Sequence, residues 1–166
     1  RFRRAAVLIV FWAEAEDVQV LLTRRSRNLS QHTGETSFPG GRLEAGETWT
    51  EGALREAHEE VGLYPESVEV LGDLDDAWSG ARHHIRPVVG WLKSSPELRA
   101  NEAEVSEVLI ASVSELLLPR SRSEDPVLHN GKQYTNTKLT WGGGDVYGLS
   151  ADLLVEALDW GLGNCP

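Results

Sequence analysis

GETWTEGALREAHEEVG, residues 46–62, places Glu47, Glu51, Glu56, Glu59 and Glu60 within one short span. Thr48 is suited to cap the free N–H groups of a helix start, and Glu51, three residues on, completes a capping box. Ala53, Leu54, Ala57 and Val61 recur at helical spacing. Gly62 fits the left-handed position that follows a helix end. On such a helix Glu56, Glu59 and Glu60 are related by i, i+3 and i+4 and project to one side. Like charges at that spacing cost roughly 0.2–0.5 kcal/mol per pair. A solvated acidic face is the plain alternative, since Glu is a good helix former. The surroundings favour more. Arg55 shares a side with Glu59 at i+4, and a guanidinium can hold a carboxylate in a fixed orientation. The preceding FPGGRLEAGE, residues 38–47, is Gly-rich, as a backbone needs to be where it bends sharply or approaches a ligand. A bent loop feeding a carboxylate-lined helix suits a hard divalent cation such as Mg²⁺, which takes oxygen ligands. A carbonyl of the Gly40–Gly41 turn would add to the set.

Working outward, the chain of 166 residues suits one domain spanning 1–166. Apolar content of 40% and charged content of 25% are those of a globular protein. A net charge of -10 argues against a general binder of nucleic acid or membrane surfaces. Cys165 is the only cysteine, so no disulfide forms within one chain and a reducing compartment, the cytoplasm, is expected. The chain contains no Met and is read as trimmed at its start. Its opening, RFRRAAVLIVFWAEA, has the form of a secretory signal, but the apolar run is too short to span a bilayer. With β-branched Val7, Ile9 and Val10 it reads as a buried strand.

The periodicity predicts strands at residues 5–12, 18–24, 68–74, 85–92 and 105–110. Residues 28–41 read as a loop broken by Gly34, Pro39, Gly40 and Gly41. Residues 112–118 read as a short helix. Asn130-Gly131 marks a type I′ hairpin, and residues 151–160 an amphipathic helix. The mixed order predicts a mixed sheet with helices packed on it.

Gly41, Glu47 and the run Arg55-Glu56-Ala57-His58-Glu59-Glu60-Val61-Gly62-Leu63 resemble the Nudix box at every fixed position. The resemblance implies the Nudix fold, an α/β/α sandwich around a mixed β-sheet, and hydrolysis of a nucleoside diphosphate linked to another group with Mg²⁺ or Mn²⁺. It also implies Glu56 and Glu60 as principal metal ligands and Glu59 as a further one, direct or through water. Gly40 would offer its carbonyl, while Arg55 and Glu47 would orient the carboxylates. The family often draws a base from outside the box. Glu104, in NEAEVSEV, is the candidate.

LLTRRSRNLSQHTGETSFPGG, residues 21–41, resembles the signature of the coenzyme A pyrophosphatase branch through Leu21, Leu22, Thr23, Arg25, Ser26, Gly34, Phe38, Pro39, Gly40 and Gly41. Ser30 stands where the signature has a second Arg. GDLDD, IRPVVG and VYGLSA are similar to the same branch, with Tyr147 in place of its usual Trp. This implies cleavage of coenzyme A to 4′-phosphopantetheine and adenosine 3′,5′-bisphosphate. Arg24, Arg25 and Arg27 form a basic cluster suited to phosphate. Strand alternation puts Arg24 and Arg25 on opposite faces, so one of the two would point at the ligand. Trp78, in the loop DDAWSGARHH at residues 75–84, is the candidate aromatic contact, and Trp91, Trp141 and Trp160 are read as core. His83-His84 lacks a third zinc ligand at suitable spacing, and His58 is read as helix surface. A Nudix hydrolase of ADP-ribose, a dinucleotide or an NTP, and a non-enzymatic ligand sensor, are the competing functions. A homodimer stays open.

Overall fold

The apolar run near the start of the chain is the middle of the structure. In the computed structural model, which describes residues 2–28, 34–80 and 82–163, it forms β1 (Arg3–Glu14). Successive side chains of a strand alternate between faces. Ala6, Leu8, Val10 and Trp12 therefore enter one apolar cluster and Ile9 the other. A strand covered on both faces reads as a continuous apolar run, which is why residues 5–12 lack a clean alternation.

β1 runs parallel to β7 (His83–Leu92) from Arg3↔His83 to Trp12↔Leu92. On its other side it pairs antiparallel with β2 (Asp17–Arg25) only from Phe11↔Val20 to Glu14↔Asp17. Beyond that point β2 diverges and pairs with β8 (Val105–Ser112) and with the two-residue β3 (Thr36–Ser37). The space left beside β1 is filled by β4 (Gly40–Arg42), in register Val7↔Gly40 to Ala5↔Arg42. β5 (Val68–Asp73) and β6 (Ala77–Ser79) complete the sheet on β7. The expected mixed sheet is present, and the two segments read as loop, residues 28–41 and 75–84, hold β3, most of β4 and β6 within it.

The hairpin expected at Asn130-Gly131 is part of a separate second sheet, whose extent was not legible. β9 (Arg122–His129), β10 (Lys132–Trp141) and β11 (Gly144–Tyr147) form a separate antiparallel unit in the order β11-β10-β9. The Asn130-Gly131 turn joins β9 to β10 with φ of 50° and 73°, as the I′ signal predicts. β9 is exposed along its whole length, so burial imposes no pattern on its sequence. β11 begins at the last of three consecutive glycines, which carry no strand pattern.

One face of the main sheet is covered by α1 (Trp49–Val61), through Ala53, Ala57 and Val61 against Leu8, Val10 and Val88. The other is covered by α3 (Leu149–Gly163), through Ala151, Leu154, Ala157 and Leu158 against Ile9, Leu22 and Val89. A one-turn α2 (Val113–Leu116) is capped by the Ser112 hydroxyl. The order of layers is helix, mixed sheet, helix. Trp141 is buried as expected, but Trp160 is 38% exposed, and the sequence reading overlooked Trp12, which is wholly buried. Trp160 falls near the end of α3, past the buried Leu154, Ala157 and Leu158. Among the described residues no helix is long and apolar enough to cross a membrane.

The start of α1 is fixed as the sequence predicts. The Thr48 hydroxyl accepts from Glu51 N–H at 3.2 Å, and the Glu51 carboxylate accepts from Thr48 N–H at 2.8 Å. Trp49 is flanked by the guanidinium groups of Arg4 and Arg86, 4.3 and 4.8 Å from its ring. Thr48→Ala is expected to cost about 1 kcal/mol. It should lower the denaturant midpoint while leaving the slope of the transition unchanged.

Candidate active site

Two glycines let α1 and β4 come together. A Cβ on Gly40 would overlap the Ala6 carbonyl and Val7, and a Cβ on Gly41 would overlap the Glu56 carboxylate. The Gly40 N–H donates to Glu60 Oε2 at 3.3 Å. β4 therefore lies directly against the acidic face of the helix. Gly41→Ala meets only the far end of a side chain, so the fold should persist while the Glu56 carboxylate is displaced. Expected are near-normal thermal stability and a fall in divalent-cation affinity of about 10–100-fold, the scale for disturbing groups that orient metal ligands. Isothermal titration with Mn²⁺ reads this directly.

Arg55 organises the carboxylates. Its Nε and Nη2 donate to the two oxygens of Glu47 at 2.7 and 3.1 Å. Its Nη1 donates to Glu56 at 3.1 Å and Glu59 at 3.2 Å, and Nη2 also reaches the Arg42 carbonyl at 2.9 Å. The planar fork thus ties α1 to the loop before it in a way that Lys, with a compact ammonium, would not reproduce. The Arg55 guanidinium also holds the Glu47 carboxyl below its ordinary value.

Glu104 reaches the same place from a distant part of the chain. The Asn101 N–H donates to the Glu60 carbonyl at 2.8 Å, and its side-chain amide donates to the Glu59 carbonyl at 3.3 Å. Two of the orphan carbonyls at the end of α1 are thereby satisfied. The Glu104 N–H donates to the Asn101 carbonyl and the Ser26 N–H to the Glu104 carbonyl, each at 2.9 Å. So pinned, Glu104 brings a carboxylate oxygen into a group with those of Glu56 and Glu60, all within 4.8 Å of one another. Glu59 lies outside that trio, more exposed and turned to Arg55. Sequence reasoning missed Asn101. Its turn-forming residue type, three positions before Glu104, was the available signal.

The electrostatics are those of a site short of positive charge. Burial, then the Glu56 charge, push the Glu60 carboxyl up to about 8. The Gly40 N–H and the Arg25 charge pull the other way and are outweighed. Burial also raises Glu56 in spite of Arg55. Three crowded carboxylates form an all-oxygen donor set, which fits Mg²⁺ or Mn²⁺ and not a soft metal.

The remaining sequence candidates divide. Arg25 acts on Glu60 electrostatically, whereas Arg24 is ion-paired to Glu107 at 3.1 Å. A register shift between Arg24 and Arg25 in the β2–β8 pairing accompanies this separation. Arg27 is exposed and stands beside Gly34. Trp78 stacks on His84, with ring centres 4.2 Å apart, in a group that includes Phe2 and Trp49. His84 Nε2 lies 2.7 Å from Asp76, whose carboxyl is drawn down to about 2, first by Arg86 and then by His84. His58 is exposed on α1, its Nδ1 3.3 Å from the Leu63 carbonyl. Ser30 lies outside the described residues.

Comparison with known proteins agrees with this geometry. Residues 2–130 match the family described as the NUDIX domain. The chain is 35% identical over 164 residues to the mitochondrial Nudix hydrolase 15 of Arabidopsis thaliana, covering 93% of this chain and 57% of that protein. It is 41% identical over 116 residues to the uncharacterized Nudix hydrolase NudL of Citrobacter koseri, covering 69% and 60%. The chain thus spans little more than half the length of these curated relatives. A Caenorhabditis elegans Ap4A hydrolase in a binary complex superposes with a TM-score of 0.58 at 19% identity, over 66% of this chain and 80% of that one. At that identity the match speaks for the fold alone. With the family matched over most of its length and the boxed residues gathered around one acidic face, the chain belongs to the Nudix family.

Proposed function

We propose that the protein hydrolyses the diphosphate bond of coenzyme A or its derivatives, giving 4′-phosphopantetheine and adenosine 3′,5′-bisphosphate, with Mg²⁺ or Mn²⁺. The observation that carries the diphosphatase reading is the trio Glu56, Glu60 and Glu104, with Glu56 oriented by Arg55. Glu56 and Glu60, with the Gly40 carbonyl, would hold the cation, and Glu59 would assist from the rim. A bound divalent cation neutralises diphosphate oxygens that otherwise repel a nucleophile. The rest falls to the chain. Arg25 adds positive charge beside the carboxylates and draws diphosphate oxygens toward them. Glu104, held on a tethered loop and not on the helix, takes the proton of the attacking water. A new P–O bond forms to that water as the bridging P–O bond breaks, and the departing phosphate carries away the bridging oxygen. Positioning and electrostatics supply most of such catalysis.

Support for coenzyme A comes from the likeness of residues 21–41 to the coenzyme A branch. Ser30 and Tyr147 depart from that branch, and they make another nucleoside diphosphate derivative, such as ADP-ribose, a dinucleotide or an NTP, the second reading. A substrate panel of coenzyme A, ADP-ribose, a dinucleoside polyphosphate and an NTP, each with Mg²⁺ and with Mn²⁺, separates the two. Release of adenosine 3′,5′-bisphosphate from coenzyme A is expected. Intact coenzyme A beside cleaved ADP-ribose would transfer the proposal to the second reading.

A further inference from the structure

A cleft of about 640 Å³ opens between the β9–β10 hairpin and the edge of the main sheet. Val127, Tyr134 and Asn136 line it from the hairpin, and Thr36, Ser37 and Ser79 from the sheet. Tyr134 lies opposite Val127 in the ladder, and Asn136 follows two residues on, so all three share one face of the hairpin. Tyr147 of β11 also lines it. Trp78, adjacent to Ser79 in β6, points to the opposite face by the same alternation. The sequence thus offers Trp78 as the aromatic contact, while the structure supplies this cleft with tyrosines.

The cleft is within ligand reach of the carboxylates. From Ser37 the chain runs three residues to Gly40, a span of at most about 11 Å. A molecule seated against β3 and carrying a phosphate chain therefore extends naturally toward Glu60, which the Gly40 N–H touches. The outer part of the hairpin has little core to account for it: β9 is exposed throughout, residues 132–135 of β10 are exposed, and Tyr134 and Tyr147 are about half exposed, at 53% and 47%.

We propose that this cleft receives the adenine base of the substrate, stacked on Tyr134 with its amino edge read by Asn136. This rests on the reading of the protein as a nucleoside diphosphate hydrolase. Every base has a π-face that stacks on an aromatic ring. An Asn amide carries one acceptor and one donor side by side, the complement of adenine N6 and N7. Guanine presents two acceptors, N7 and O6, on the same edge, and an amide cannot satisfy both. Among the described residues the Asn136 side chain makes no hydrogen bond that would occupy it.

Both residues are accessible, so Asn136→Ala and Tyr134→Ala should fold. Each is expected to raise KM for coenzyme A about tenfold with kcat within about twofold. Asn136→Ala should also erode a wild-type preference for ADP-glucose over GDP-glucose. Calorimetry without turnover reads the site independently. Adenosine 3′,5′-bisphosphate should bind each variant about tenfold more weakly, and 4′-phosphopantetheine should bind all three proteins alike. Unchanged binding of the adenosine product overturns the proposal, as does a loss confined to 4′-phosphopantetheine, which would seat the other arm here. If the wild-type protein cleaves no diphosphate yet binds the adenosine product through Asn136, it is the hydrolase reading that fails and the base site that stands.

Discussion

Glu60→Gln is expected to abolish most turnover and at the same time to make the metal-free protein more stable at pH 8. The two effects share one cause. Glu60 is 7% exposed, faces Glu56 and Glu104, and accepts a hydrogen bond from the Gly40 N–H. Above pH 8 its negative charge is buried among like charges, which is costly unless a cation is present. Gln keeps the shape and can still accept from Gly40, but it carries no charge to hold a metal. Loss of one stabilising group of this kind costs on the order of 10²–10³-fold in kcat. Relief of the buried charge should raise the melting temperature of the metal-free protein by several degrees at pH 8. Glu56→Gln makes the contrast. Its carboxylate is partly compensated by Arg55, so turnover should fall comparably with a smaller gain in stability. Melting curves and initial rates on the same two variants check both halves. A Glu60→Gln protein that turns over normally, or that is less stable than the wild type at pH 8 without metal, would remove Glu60 from the centre of the site.

The parts of this arrangement that were legible in the sequence are those encoded locally. The capping box at Thr48 and Glu51, the apolar stripe of α1 and Gly62 after its end each depend on neighbours within a turn or two. The grouping of Glu56 with Glu60 follows from helical spacing alone. What was not legible depends on residues far apart in the chain. Glu104 could be picked out only through its resemblance to a base outside the box. Nothing in NEAEVSEV says that Asn101 ties it to the end of α1. The insertion of Gly40–Arg42 beside β1 is a consequence of β2 bending away, and three residues carry no periodicity. The second sheet escaped because exposed strands need not alternate. Trp78 reads as a substrate contact only while its segment is taken for a loop. Once it is a strand, alternation turns its ring from the side on which Ser79 lines the cleft. Arg24 and Arg25 show the same limit, since one pairs with Glu107 and the other acts on Glu60, and only the bulge between them says which.

Stability against pH, measured with and without Mg²⁺, tests the metal site without any substrate. The folded Glu60 carboxyl lies at about 8, above its ordinary value of 4.5. Between those values the folded state holds a proton that the unfolded chain has released. Its contribution to stability is complete below the lower value and is lost as pH rises toward the upper one. The expected slope for the metal-free protein is about -1.4 kcal/mol per pH unit across that window, a few kcal/mol in all. Glu47 runs opposite: its folded value is lowered, so its contribution is present above the ordinary carboxyl range and is lost on acidification. Glu60 therefore contributes to the alkaline fall, and Glu47, together with Asp76, to the acid one. Mg²⁺ bound there would do for Glu60 what the proton does, by placing positive charge among the three carboxylates. Saturating Mg²⁺ should therefore flatten the alkaline fall, and at 100 times its Kd it should restore about 2.7 kcal/mol. In Glu60→Gln both the fall and the Mg²⁺ rescue should be strongly reduced. If the wild type loses stability equally from pH 5 to 8 whether Mg²⁺ is present or absent, the carboxylates do not bind the cation together, and the decline must be traced to other groups.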